Sequence, residues 1–313
     1  MSTIEIGSFE KRVLLVGAGF SKNWGGRLAS EVWADVFSNS AVQRQEHVRQ
    51  AMLRERSFEA VLEEVLTGAY YNSDDQRAII EAITQTFERM DELYRKTIIS
   101  KDKLINYATL QFVFRRFKQT AGYFFTLNQD RLLELILDNR AISYQIPHVP
   151  QIAQIRIPNE RPSSLPNTYS TSLNLIKLHG CYTWTNSEGA PVMVVGKEKE
   201  KKIAGSWLLT EYQKVFDSVL NSGSVRLLII GYSFRDTHIN KIIGRAVSQH
   251  QCKVFVWDPM HPLDTLNENS GEENRAAILG GLTGWEPRSI QEVMPAVRVI
   301  QIADEDVLRA FFH

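Results

Sequence analysis

Arg12-Val13-Leu14-Leu15-Val16-Gly17-Ala18-Gly19-Phe20-Ser21 is the stretch that decides how this chain folds. Its unbroken apolar run at 13–16 is what a strand buried on both faces of a parallel sheet requires. The run stops at Gly17-Ala18-Gly19. Glycines there allow a tight turn and a close approach of backbone to a pyrophosphate, with the next helix facing the anion. The dinucleotide fingerprint would place a third glycine where Lys22 stands. Taken alone, the loop therefore fits a plain strand-to-helix turn as well as a nucleotide cradle. Asp35 lies near the spacing of a ribose-binding acid but falls inside a helical pattern, where a structural role is expected.

The same punctuation recurs downstream. Residues 122–126, 173–178, 225–230 and 253–257 read as further strands. They run into Thr126-Leu127-Asn128-Gln129-Asp130, His179-Gly180, Gly231-Tyr232-Ser233 and Asp258. Helical spacing over 24–37, 131–139, 207–220 and 237–247 fills the intervals. This alternation predicts an α/β fold, a Rossmann-like, doubly wound, mostly parallel sheet. Strand signals are missing over about 40–118, where stretches at 46–54, 57–66, 76–100 and 102–118 predict an inserted helical module. Five prolines make 146–167 loop-rich, the charge run 197–202 reads as a solvated turn, and 267–274 as a polar linker. A late strand at 296–302 and a helix at 305–312 are expected to complete the sheet over about 259–313. All 313 residues then form one domain with a helical insertion.

Composition narrows the function. Lys+Arg and Asp+Glu both number 36, so no global field draws the chain to nucleic acid or anionic membranes. Two cysteines, Cys181 and Cys252, cannot build a four-cysteine zinc site or a disulfide framework. Residues 1–12 lack the apolar core of a signal peptide, and the longest apolar runs are strand-sized. A cytoplasmic protein is expected, with no membrane and no direct nucleic-acid binding.

In open parallel sheets ligands bind outside the carboxyl ends of the strands. Five such ends could line one crevice here. Each also has a plainer reading. Asn128 and Asp130 suit an Asx turn or the cap of the helix that follows. His179 is as compatible with a satisfied core histidine as with a catalytic one. Gly231-Tyr232-Ser233 suits a turn into a helix capped by Asp236 or Thr237.

Taken together, the blocks carry a resemblance. Gly17-Ala18-Gly19-Phe20-Ser21 and Gly25-x-x-Leu28 come first, then Thr126-x-Asn128-x-Asp130-x-Leu132-Leu133-Glu134. Lys177-Leu178-His179-Gly180 and Gly231-Tyr232-Ser233-Phe234-x-Asp236-x-His238-Ile239 follow. In this order, spanning about 13–258, they resemble the sirtuin family, and more closely its bacterial NAD+-hydrolysing branch found in anti-phage defence. The resemblance implies that Gly17, Ala18, Gly19, Phe20 and Ser21 cradle the NAD+ pyrophosphate, with Thr126 among the NAD-binding residues. It implies that Asn128 orients the nicotinamide ribose and the attacking water, that Asp130 holds the carboxamide, and that His179 accepts a proton. Gly231 and Ser233 would contact the phosphate and adenosine side, and Asp258 the adenosine end.

The implied reaction cleaves the nicotinamide–ribose bond of NAD+. Nicotinamide departs neutral from an oxocarbenium-like ribose, so no strong acid is needed and positioning with electrostatic stabilisation does most of the work. An amide, both donor and acceptor, suits orientation of water, and an imidazole suits the base.

Protein-deacylating relatives carry a four-cysteine zinc module and a proline–aspartate–phenylalanine–arginine run. This chain has two cysteines and reads Trp24-Gly25-Gly26-Arg27-Leu28 after the first loop. Water is therefore the expected acceptor, and no zinc is expected. NAD-dependent deacylation or ADP-ribosyl transfer is one alternative; a non-catalytic NAD or ADP-ribose sensor is another. About 55 residues follow Asp258, too few for a typical separate sensor domain. Activity is accordingly expected to be gated by assembly, as a homo-oligomer or with a separately encoded defence partner, a HerA-like ATPase among the candidates.

Overall fold

The computed structural model describes residues 11–99, 123–139, 144–149, 155–163, 173–196, 198–269, 271–293 and 310–311. The chain opens with β1 (Lys11–Val16), α1 (Ala18–Lys22), α2 (Ala29–Phe37), α3 (Ser40–Gln43), α4 (Glu46–Arg54), α5 (Phe58–Thr67) and α6 (Ser73–Ile99). It continues with β2 (Tyr123–Thr126), α7 (Leu132–Asn139), β3 (Tyr144–Gln145), β4 (Ile155–Ile157), β5 (Leu173–Lys177), β6 (Gly180–Asn186) and β7 (Pro191–Met193). Next come α8 (Lys199–Ala204), α9 (Trp207–Leu220), β8 (Val225–Ile230), α10 (Thr237–His250) and β9 (Lys253–Trp257). The last are α11 (Pro262–Asn269), α12 (Glu272–Gly280), β10 (Leu282–Glu286) and α13 (Ile290–Val293).

Seven strands form one sheet in the order β10-β9-β8-β1-β2-β5-β3, and every neighbouring pair is parallel. The apolar runs explain this. β8 and β5 are buried along their whole length and β1 from Val13 onward. Such strands are stable only where helices cover both faces, and each fully buried Val, Leu, Ile or Phe contributes about 1.5–3 kcal/mol. From β1 the chain builds outward through β2 and β5, then returns to lay β8 on the other side of β1. The strand order therefore reverses between β1 and β8, which fixes where a crevice opens at the carboxyl edge. The sheet is the expected α/β, Rossmann-like, doubly wound one.

Helices α2 to α6 fill the interval between β1 and β2. Ser57 caps α5, its Oγ accepting from the Ala60 N–H at 3.3 Å. The buried faces of α5 (Phe58, Val61, Leu62, Val65) and α6 (Ile79, Ile83, Phe87, Met90, Tyr94) join the same core as the sheet. That accounts for their apolar periodicity, whereas Leu93 on the same helix is 41% exposed.

The structure corrects several local expectations. The helix expected over 24–37 starts only at Ala29, because Gly25 takes φ +89 and breaks the helical path. The charge run does not stay a solvated turn: Lys199–Ala204 is helical, and Lys199 is drawn inward by two acids described below. The loop-rich 146–167 contains β4, which pairs with β6 in a second sheet of order β4-β6-β7. The supposed linker at 267–274 is taken up largely by α11 and α12. The edge strand on that side is β10, in parallel register with β9. The strand expected at 296–302, the helix at 102–118 and most of 305–312 lie outside the described residues. No helix among the described residues is long and apolar enough to cross a membrane.

Candidate functional site

At the switch point the ends of β1 and β8 interlock. The Gly17 N–H donates to the Ile230 carbonyl at 3.0 Å and the Gly19 N–H to the Gly231 carbonyl at 2.9 Å. A Cβ on Gly17 would lie 2.5 Å from the Gly231 oxygen, and Gly231 itself takes φ +62. Glycine is needed here so that two backbones can touch. Around this contact Ala18 is exposed, Gly19 half-buried, and Phe20 buried against Trp24 with ring centroids 4.8 Å apart. Ser233 is exposed. Asp258, at the end of β9, is half-buried; burial raises its carboxyl pKa while an N–H from Met260 opposes the shift. Asp35 lies on α2 and pairs with Arg27 at 2.9 Å.

Asn128, at the end of β2, is locked onto this turn. Its Nδ2 donates to the Gly17 carbonyl and to Ser21 Oγ, both at 3.0 Å, and its N–H donates to Thr126 Oγ1 at 3.0 Å. A carbonyl partner can only accept, so the side-chain nitrogen is the atom turned toward β1. Ser21 passes the bond on, its Oγ donating to Asp130 Oδ2 at 2.9 Å. Asp130 Oδ1 accepts from the Leu132 N–H at 3.0 Å, as a helix cap would. The capping role and the link to Asn128 coexist in one carboxylate.

Beneath lies a fully buried charge system. Lys177, 0% exposed, donates from Nζ to Glu134 Oε1 at 2.9 Å and to the Asp130 carbonyl at 2.5 Å. Helix α6 reaches the same cluster. Tyr94 OH donates to Asp130 Oδ2 at 3.5 Å, and Asp91 accepts from Tyr182 OH at 2.7 Å and from the Arg131 N–H at 3.3 Å. Burial raises the Asp130 carboxyl pKa, against the pull of Lys177 and the Leu132 and Ser21 donors. Burial, reinforced by neighbouring Asp130, pushes Asp91 up to about 6 although the Tyr182 hydroxyl opposes it.

His179 stands at the end of β5, the strand beside β2, and is 2% exposed. Its Nε2 lies 3.2 Å from Nε2 of His238, and its ring also bonds the backbone of Leu127. Burial, assisted by Lys199 and His238 and opposed by Asp236, pushes its pKa down to about 3, so the imidazole is neutral near pH 7. His238 shifts down as well, chiefly by burial, with Asp236 opposing. Burial works against the Asp236 carboxylate, yet His179 and Lys199 outweigh it and hold its pKa below the ordinary value. Lys199 binds Asp236 Oδ1 at 2.8 Å and Glu59 Oε2 on α5 at 3.4 Å. A cavity of about 600 Å³ opens here, lined by Ser57, Glu59, Lys199, Arg235, Asp236 and His238 among others. A second, more apolar cavity of about 520 Å³ lies between α5, α6 and the small sheet, against Leu62, Ile83, Met193, Val194 and Leu209. Neither of the two is lined by Asn128, His179 or the glycine loop.

The structure thus links Gly17, Ser21, Thr126, Asn128 and Asp130 directly, and sets His179 on the adjacent strand end. Gly231 joins by accepting from the Gly19 N–H; Ser233 lies exposed beyond it, and Asp258 accepts from the Met260 N–H at the end of β9. Sequence reasoning missed the roles of His238, Lys199, Tyr94 and the Lys177–Glu134 pair. Asp236-x-His238 at a helix entry was a usable signal; Lys199 in a charge run and Tyr94 on an apolar helix face gave none. Among the described residues no group of three or more His, Cys, Asp and Glu is arranged to hold a metal ion.

Residues 122–275 match the family model described as SIR2-like domain. Over these residues the chain is similar to a SIR2-like domain, which points to an NAD-related function. The matched stretch includes Asn128, Asp130, His179, Gly231, Ser233 and Asp258, whereas β1 and its glycine loop precede it. No curated protein matches the chain.

Proposed function

We propose that this chain is an NAD+ glycohydrolase that releases nicotinamide and ADP-ribose, with Asn128 and His179 at the reaction centre. The observation that carries the reading is their placement. Asn128 is fixed on the switch-point turn through Gly17 and Ser21, and a buried, neutral His179 ends the neighbouring strand.

The chemistry follows from these groups. The pyridinium leaves neutral, so the site must hold the ribose, place a water and take up one proton. Asn128, its nitrogen committed inward, offers its oxygen to the water or a ribose hydroxyl. His179 offers a lone pair, which a protonated ring could not do. Asp130, engaged by Ser21, Leu132 and Tyr94, acts on Asn128 through Ser21; contact with the carboxamide would require it to exchange one of these bonds. Gly17 to Ser21, Thr126, Gly231, Ser233 and Asp258 are assigned to the rest of the dinucleotide along the carboxyl edge.

We assign to this activity the depletion of NAD+ in anti-phage defence, gated by self-assembly or by a separately encoded partner such as a HerA-like ATPase. Support comes from the SIR2-like domain together with the sequence resemblance described above. The test is product analysis by HPLC with wild type, alone and co-expressed with candidate partners, with and without acylated peptide. Nicotinamide and ADP-ribose in equal amounts without peptide support the hydrolase. Release that depends on the peptide supports deacylation or transfer instead, and NAD+ binding without any product supports a sensor.

A further inference from the structure

We propose that His238 is a positioning residue for His179: the facing Nε2 atoms of the two rings share one proton, and His238 connects that proton to the cavity beside Lys199. The proposal rests on the hydrolase reading and goes beyond it in assigning a residue that the site residues named above do not include.

Three observations meet here. The Nε2 atoms are 3.2 Å apart, and two ring nitrogens facing each other at that distance accommodate one proton, one ring donating and the other accepting. The rings differ in access: His179 is buried and bonded to the backbone of Leu127, whereas His238 lines the cavity of about 600 Å³. The pair is also framed by charge on every side. Asp236 and Lys241 come from the α10 segment, Lys199 and Glu200 from α8, and Lys199 bonds Asp236 at 2.8 Å. A second imidazole desolvated at the end of a sheet is costly compared with an apolar residue of similar volume. It is explained if the first imidazole has to be held in one orientation.

The step balances. The bond between ribose C1′ and the nicotinamide nitrogen breaks with its electron pair passing to nicotinamide, and the water oxygen bonds C1′. The water proton goes to the imidazole pair and leaves to solvent from His238. Nothing is oxidised or reduced. At rest the His179 ring hydrogen lies toward Leu127 and its Nε2 lone pair accepts from His238. His238 gives that hydrogen up to the cavity and takes one on its other ring nitrogen; the Nε2 lone pair of His179 then takes the water proton, and His238 accepts from it and spreads the charge toward Asp236.

The test compares wild type, His238→Ala, His238→Gln, His179→Ala and the double alanine variant. Readouts are kcat and KM for nicotinamide release across pH, Tm, and the ¹⁵N NMR signals of the His179 ring. Expected for His238→Ala is a kcat roughly tenfold or more lower with KM within about twofold, a shifted acid limb and an unchanged Tm. The Gln variant, which keeps an N–H donor, recovers part of the loss. The double variant falls no further than His179→Ala, because the two act as one unit. A His238→Ala enzyme with wild-type kcat, or losses that multiply in the double variant, overturns the proposal. Wild type that releases no nicotinamide overturns the hydrolase reading. The ¹⁵N signals then still decide the pairing, which is refuted if they are the same with and without His238.

Discussion

Asn128 Nδ2 lies 3.0 Å from Ser21 Oγ, and this bond ties the end of β2 to the turn after β1. Ser21 can donate its single hydroxyl hydrogen to Asp130 only because it accepts from Asn128. Ser21→Ala removes both links at once. The expected result is a kcat for nicotinamide release lower by about tenfold or more and a stability loss of about 1–3 kcal/mol from stranded buried partners. Steady-state kinetics and urea unfolding check the two parts separately.

The Lys177–Glu134 pair is a stability element. Lys177→Met leaves Glu134 charged in a dry site and is expected to cost about 3–5 kcal/mol, whereas adding Glu134→Gln to it recovers much of that loss. Urea midpoints of the two variants test this. Equal destabilisation by the single and double changes would show that the pair is not coupled.

Stability should depend on pH through two buried groups acting in opposite senses. The pKa of His179 falls from 6.5 to about 3, so the unfolded chain binds a proton below pH 6.5 that the folded chain refuses. Its contribution is complete above that pH and is lost as pH falls through the window, at up to about 1.4 kcal/mol per pH unit. The pKa of Asp91 rises from 3.8 to about 6, so the folded chain binds its proton first. Ionising Asp91 above pH 6 costs stability, which acidification toward 3.8 restores. In urea unfolding at a series of pH values, His179→Gln should flatten the acid loss and Asp91→Asn should steepen it.

Gly231→Ala tests the interlocked strand ends. Its φ of +62 and the overlap of a Cβ with the Phe20 N–H leave no room for a side chain. A loss of about 2 kcal/mol or more, with weakened NAD+ binding by calorimetry, is expected. Wild-type stability in this variant would contradict the close backbone contact.

The legible parts of the fold were those carried by local pattern. The runs at β1, β2, β5, β8 and β9 fit doubly covered parallel strands, and the polar exits of β2, β5 and β8 marked Asn128, His179 and Gly231. Strands β4 and β7 were hidden because 3-residue pieces beside prolines carry no periodicity; they exist through pairing with the 7-residue β6. Helix α8 was obscured by its own charge, since nothing local says that Lys199 finds Asp236 and Glu59 from distant segments. Tyr94 reads as one more apolar contact on α6, and only the tertiary fold brings its hydroxyl to Asp130. Element exits were readable; the partners that tune them came from elsewhere in the chain.

The most direct test of the central claim is the rate of nicotinamide release from NAD+ by wild type and by Asn128→Ala, each alone and with co-expressed candidate partners, at matched folded fraction. The account predicts equimolar nicotinamide and ADP-ribose from wild type under at least one of these conditions, and a rate lower by about a hundredfold or more in the variant. Equal rates from the two proteins, or NAD+ left intact by wild type in every condition, would contradict it.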